Sequence, residues 1–265
     1  MLRALCFFCL SAALAAAPLP RIAILATGGT IAGQGSSQTT TVGYKAAAIG
    51  VEQLVEAVPA LKQVAQIRGE QIFKTDSSNM TTAHWLKLAK RLNAVLADPA
   101  VDGAVITHGT DTLEETAYFL NLVIKSAKPV VLVGSMRPAT AISADGPMNL
   151  YDAVRLAGCP EARSKGVLVV LNDTIHAARE VTKTNTMLTD TFRAPELGAL
   201  GYVASDRPRF YRAPARKHTL DTEFDIANLD RLPSVEIVYG YASASPAAVG
   251  AFLASGAQGI IHAGT

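Results

Sequence analysis

A threonine hydroxyl is a poor nucleophile until a neighbour accepts its proton, so a threonine at a turn matters chiefly when a base or relay can reach it. Thr30 follows Gly28-Gly29 at the end of an apolar run, residues 22–26, that has the length and continuous apolarity of a strand buried on both faces. Open α/β sheets bind ligands beyond the carboxyl ends of their strands, which makes Thr30 a candidate nucleophile. Thr27 and Thr30 could equally satisfy backbone groups of the turn. The polar stretch 39–45 carries one aromatic, Tyr44, which reads as a lid residue closing over the site or as a surface tyrosine on the loop base. A second hydroxyl-rich turn, His108-Gly-Thr-Asp-Thr112, brings Thr110 and Asp111 to another strand end. Lys183 stands among threonines in Val181-Thr-Lys-Thr-Asn185, either as a reactive amine or on a solvated strand face.

The elements that must position these residues alternate. Apolar runs at 22–26, 64–73, 101–107, 129–134 and 167–171 read as strands. Segments 51–58, 84–96, 113–123 and 148–156 have helical spacing, the second capped from Thr81 or Thr82. This alternation predicts parallel βαβ units in an α/β fold, a mainly parallel sheet flanked by helices. Residues 172–191 are polar and helix-poor. Residues 201–204 and 209–211 are expected to form an antiparallel hairpin. Residues 213–232 resemble a linker, and 235–239, 246–254 and 259–262 form one more strand-helix-strand unit. The expected organisation is a large catalytic unit at 21–212, the linker, and the start of a smaller, incomplete α/β domain at 233–265. A unit of that size buries too little surface to offset its chain entropy, so this chain is expected to be a fragment, inactive or poorly folded alone.

With 265 residues, 49% hydrophobic and 17% charged, the chain can build a sizeable core, and disorder is excluded. A formal charge of +2, with no basic stripe interleaved with aromatics, argues against a nucleic-acid partner. Residues 1–20 read as a secretory signal peptide and its junction, with an Ala13-Leu14-Ala15 cleavage motif, so the protein is expected to be periplasmic or secreted and not membrane-spanning. Removal of Cys6 and Cys9 leaves Cys159 without an intramolecular disulfide partner. His84, His176, His218 and His262 lack metal-ligand spacing, His108 reads as a packing or hydrogen-bonding residue, and the glycine turns match no nucleotide motif. No metal or other cofactor is expected.

Five motifs occur together: Ala26-Thr-Gly-Gly-Thr-Ile-Ala32, Ile106-Thr-His-Gly-Thr-Asp-Thr-Leu-Glu-Glu-Thr-Ala117, Met136-Arg-Pro138, Ser143-Ala-Asp-Gly-Pro147 and Val181-Thr-Lys-Thr-Asn185. The combination resembles the bacterial L-asparaginases, in particular their exported, type II form, over essentially all of residues 20–265. The resemblance implies hydrolysis of L-asparagine to L-aspartate and ammonia through an acyl-enzyme. It implies Thr30 as nucleophile, Tyr44 as its lid partner, and Thr110, Asp111 and Lys183 as a second catalytic group. Asp111 would hold the lysine and pair with the substrate ammonium, and Ser77 would bind the substrate carboxylate. Ser78 stands where the family carries glutamine or glutamate for the α-amino group, which bears on substrate affinity and on preference between asparagine and glutamine. The resemblance also implies a homotetramer built as a dimer of dimers, in which each site takes an acid from a neighbouring subunit. A mixed glutaminase-asparaginase is the alternative within the class. A secreted amino-acid-binding module is the rival outside it, and this rival has no need of a lysine aimed at a threonine hydroxyl.

Overall fold

A computed structural model describes residues 18–204 and 207–264; the expected signal segment at 1–17 lies outside the described residues. Along the chain run strand β1 (Arg21–Gly28), helices α1 (Val51–Glu56) and α2 (Leu61–Val64), strand β2 (Gln66–Thr75), helix α3 (Thr82–Ala97), strand β3 (Gly103–Thr107) and helix α4 (Leu113–Val123). Strand β4 (Val130–Val133), helix α5 (Gly146–Ala157) and strands β5 (Val167–Leu171) and β6 (Thr174–Ala177) come next. They are followed by the short strands β7 (Thr182–Lys183) and β8 (Phe192–Arg193), then β9 (Gly201–Ala204) and β10 (Arg207–Phe210). The last three elements are β11 (Val235–Tyr239), α6 (Ala247–Ala254) and β12 (Gly259–Ala263).

Eight strands form one sheet in the order β10-β9-β6-β5-β4-β3-β1-β2. The five strands from β5 to β2 pair in parallel. Because side chains alternate across a strand, each central strand contributes to two cores. Ala23, Leu25, Ala104, Ile106, Val130 and Leu132 pack with α3 and α4 on one face. Ile22, Ile24, Val105, Val131 and Val133 pack with α1, α2 and α5 on the other. Burial on both faces explains why these strands read as continuous apolar runs.

The order β2-β1-β3-β4 fixes where chemistry can occur. Chain connections leave β1 toward β2 on one side, and β3 lies on the other, so the β1/β3 boundary is a topological switch point where loops part and leave a crevice. Thr30 leaves the end of β1 and Thr110 the end of β3, one on each side of it.

Local signals set the helix starts. Thr81 caps α3, its Oγ1 accepting the His84 N–H at 3.3 Å, so the helix begins at Thr82, ahead of the expected His84. Helix α5 also starts early, at Gly146, because Pro147 needs no N–H partner in a first turn. Glu114 and Glu115 lie in the first turn of α4, where its dipole favours negative charge.

Two expectations change. Residue 64 ends a short helix and does not begin β2, which starts at Gln66. The polar stretch after β5 contains a strand: Asn172 and Asp173 both adopt positive φ, 50° and 59°, which turns the chain through a tight hairpin into β6. Strands β6, β9 and β10 therefore continue the sheet antiparallel. The expected hairpin at 201–211 forms as β9-β10, with Pro208 on the terminal strand, where a missing N–H is tolerated. Strands β11 and β12 make a separate parallel pair in which Val235, Ile237, Tyr239 and Ile261 are between 46% and 71% exposed, and α6 beside them buries no residue.

Gly28 and Gly29 have φ of 115° and 80°, conformations L side chains rarely adopt. A Cβ on Gly29 would stand 2.2 Å from both Cα and N of Gly109. Gly29→Ala is therefore expected to destabilise the protein by about 2–4 kcal/mol, through strain plus forced separation of two turns, as read from urea midpoints. A loss within a few tenths would show that the turns move apart freely.

Candidate active site

Beyond β1 the chain makes a 3-10 turn, Thr30–Ala32, that buries Thr30 to 7% exposure. Its Oγ1 lies 2.6 Å from the Tyr44 hydroxyl, and either oxygen can be the donor. The Tyr44 loop is tied down on both sides: Gln34 and Lys45 exchange backbone hydrogen bonds, and Ala47 N–H donates to Gly29 O. Burial pushes the Tyr44 phenol above its ordinary pKa, with the Thr30 hydrogen bond acting the other way, so Tyr44 is a neutral hydroxyl and not a phenolate near neutral pH. Thr27 has a different place. Its buried hydroxyl donates to Thr107 O at 2.8 Å and joins the ends of β1 and β3.

The second group gathers at the end of β3. Lys183 Nζ donates to Thr110 Oγ1 at 2.9 Å and to Asp111 Oδ1 at 2.6 Å. Thr110 is buried, whereas the Asp111 side chain is 57% exposed although paired with Lys183. Lys183 comes from outside the main sheet, on β7, which pairs antiparallel with β8. Thr184 N–H donates to Thr191 O at 2.9 Å and closes this hairpin behind the lysine.

A cavity of about 440 Å3 is lined by Tyr44 of the first group and by Thr110, Asp111 and Lys183 of the second, with Asp76 and Arg137; Thr30 is not among its lining residues and is linked to it by its hydrogen bond with Tyr44. Met136 and Arg137 reach it from the loop after β4, where Asp145 accepts both their backbone N–H groups at 2.9 Å. Ser77 does not line this cavity. It is a buried strut: its Oγ accepts the Asp111 N–H at 3.1 Å, and its carbonyl accepts the Thr112 hydroxyl at 2.9 Å. In the first of these bonds the Ser77 hydroxyl oxygen is an acceptor, which leaves its own proton uncommitted by that bond. Ser78 is exposed on the same turn, held through its backbone N–H to Asp76, and does not line the cavity either. Asp76, Arg137 and Met136 were not read from the sequence as lining residues; only the second and third lie in a recognisable motif.

His108 is fully buried, and desolvation pushes its pKa down to about 4 against the opposing effect of the Gly109 carbonyl. The imidazole is therefore neutral. A carbonyl can only accept, so Nδ1–H donates to Gly109 O at 2.7 Å, leaving Nε2 to accept from Thr116 Oγ1 at 3.0 Å. Thr116 in turn accepts the Trp85 indole N–H at 2.8 Å. This directed chain holds the peptide preceding Thr110 and carries no proton to the site.

Residues 21–216 match the family model described as "Asparaginase, N-terminal". The chain is 59% identical over 247 residues to "L-asparaginase 2" of Bacillus subtilis, covering 93% of this chain and 66% of that protein. It is 51% identical to the "Glutaminase-asparaginase" of Pseudomonas fluorescens biotype A, covering 93% and 68%. The crystal structure named "Probable Cytoplasmic L-asparaginase" from Campylobacter jejuni superposes with a TM-score of 0.90 at 51% identity, covering 92% of this chain and 75% of that one. The chain thus spans about two thirds of the length of such relatives.

His108 also makes stability depend on pH. Its folded pKa, about 4, lies below the unfolded value of 6.5, so between these values the unfolded chain binds a proton the folded one refuses. Stability is complete above pH 6.5 and falls as the pH drops toward 4, by roughly 3 kcal/mol at most from this residue. His176, also pushed down to about 4 by burial, acts in the same window. His108→Gln should give a shallower loss of urea midpoint between pH 7 and pH 5 than the parent. An unchanged slope would mean that His108 titrates normally when folded.

Proposed function

The chain belongs to the asparaginase family, and from that premise we propose that it hydrolyses L-asparagine to L-aspartate and ammonia through an ester on Thr30. The observation that carries this reading is Lys183 Nζ within 2.9 Å of Thr110 Oγ1 and 2.6 Å of Asp111 Oδ1, on the cavity that Tyr44 also lines. A pure binding module has no use for a lysine aimed at a threonine hydroxyl.

In the proposed reaction the Thr30 hydroxyl oxygen attacks the side-chain amide carbon, and its proton passes through the Tyr44 or Thr110 hydroxyl, each releasing its own proton as it takes one, to Lys183 acting as the free amine. Backbone N–H groups of the two glycine turns face the oxyanion, where one lost donor typically costs about 2.7–4 kcal/mol. Collapse of the tetrahedral intermediate breaks the C–N bond, the nitrogen takes a proton, and ammonia leaves. Water then attacks the ester, aspartate departs, and Thr30 regains its proton. Asp111 pairs with the substrate ammonium, and Ser77 donates its hydroxyl to the α-carboxylate. Ser78, shorter than the family's glutamine or glutamate, leaves the α-amino group with one fewer long partner. That departure, together with the Pseudomonas relative's name, supports some glutamine turnover as a second reading.

The signal-like segment at 1–20 supports export to the periplasm or medium, and assembly into a homotetramer follows from the family pattern. Among the described residues no helix is long and apolar enough to cross a membrane.

Ammonia release from asparagine and from glutamine at one concentration tests the reading. Thr30→Ala, Thr110→Val and Lys183→Met are each expected to lower kcat by at least about 10³-fold, because groups acting as one unit fail together. Retention of most activity by Thr30→Ala would remove the nucleophile assignment. Tyr44→Phe compared with Thr110→Val identifies the relay, since the larger loss marks the hydroxyl through which the Thr30 proton passes.

A further inference from the structure

Lys183 sits on a two-residue strand that is not part of the main sheet, yet its terminal nitrogen must meet Thr110 and Asp111 with hydrogen-bond accuracy. A side chain with four rotatable carbons reaches many points, so its own backbone has to be fixed. The structure supplies one such fixture from a residue outside the catalytic groups. Glu114, in the first turn of α4, accepts the Thr182 hydroxyl at 2.9 Å through Oε1 and accepts the Lys183 backbone N–H through Oε2.

We propose that Glu114 is the positioning residue for Lys183, a carboxylate clamp that joins β7 to the start of α4 and thereby sets the reach of the lysine to Thr110 and Asp111. The proposal rests on the catalytic reading of Lys183 given above. Three features of the geometry support it. Both carboxylate oxygens are used, on adjacent residues of one strand, so the clamp fixes orientation as well as distance. Glu114 stands three residues after Asp111, so the same short segment that carries the lysine's partners also grips its backbone. The N-terminal end of α4 favours the ionised acid at that position.

A glutamine at 114 keeps the shape but offers one carbonyl oxygen and one NH2. The carbonyl oxygen can accept the Lys183 N–H while the NH2 donates to the Thr182 hydroxyl oxygen, so both contacts can persist without the carboxylate charge and the clamp is weakened. An alanine removes it. Thr182→Val removes the hydroxyl and leaves the backbone contact.

The test combines turnover with a readout that does not need it. In the intact protein, Lys183 reacts with an amine-acylating reagent through its free amine, at a rate set by how firmly its nitrogen is held by Thr110 and Asp111, and peptide mass spectrometry reports that rate. Glu114→Ala should raise Lys183 acylation at least about fivefold, with Thr182→Val and Glu114→Gln between it and the parent. In kinetics, Glu114→Ala should lower kcat about 10- to 100-fold with KM within about threefold. In a Lys183→Met background it should cost little more, because the two act through one group. Unchanged Lys183 labelling in Glu114→Gln and Thr182→Val overturns the proposal, even if Glu114→Ala unfolds. A full additive loss in the Lys183→Met background also overturns it, because Glu114 would then act elsewhere. If Lys183→Met itself keeps its activity, the catalytic reading fails while the labelling result still decides the clamp.

Discussion

Two glycines meet where β1 and β3 end, and the site depends on how closely they approach. Gly29 and Gly109 lie so near that a single added methyl would overlap backbone. Gly109 is hemmed in from the other side as well, since a Cβ there would stand 2.5 Å from Ser77 Oγ. Three turns from three adjacent parallel strands are thus pressed together with no side chain between two of them. This brings the ends of separate strands closer together than a layer of side chains between the turns would allow.

The contact needs support on its buried side, and the structure provides it with neutral groups. Trp85, Thr116 and His108 form a hydrogen-bonded line that ends on the Gly109 carbonyl, deep enough that burial keeps the imidazole uncharged. Thr27 closes the gap between β1 and β3 with a buried hydroxyl, and Ser77 braces the amide of Asp111. Charge is reserved for the open side, where Asp111 and Lys183 pair at the cavity. The division follows from desolvation: a charge behind the turns would be costly, and one in front is partly solvated.

Lys183 is the long-range member of this arrangement. It lies 73 residues from Thr110 in sequence, on a strand pair of its own, and Glu114 and the Thr184–Thr191 closure hold that strand where the lysine can reach. That strand pair is anchored in the core, because Phe192 of β8 and Val181 just before β7 are buried in the cluster that packs with α3 and α4.

The amino-acid sequence by itself determined what is local. The apolar runs of β1, β3, β4 and β5, the helical spacing of α3 and α4, and the threonines after glycine turns were legible because each depends on residues a few positions apart. The tertiary structure alone decided what depends on strand neighbours. Only the order β2-β1-β3-β4 puts Thr30 and Thr110 on either side of one crevice, and it also buries Ser77 as a brace while leaving Ser78 outside. The antiparallel strand β6 was hidden because an Asn-Asp turn without glycine and a histidine in the strand give weak signals. The Glu114 grip on β7 was hidden for a different reason. An acid in a first helical turn is accounted for by the helix dipole, and nothing in its neighbours announces a hydrogen bond to a strand 69 residues away.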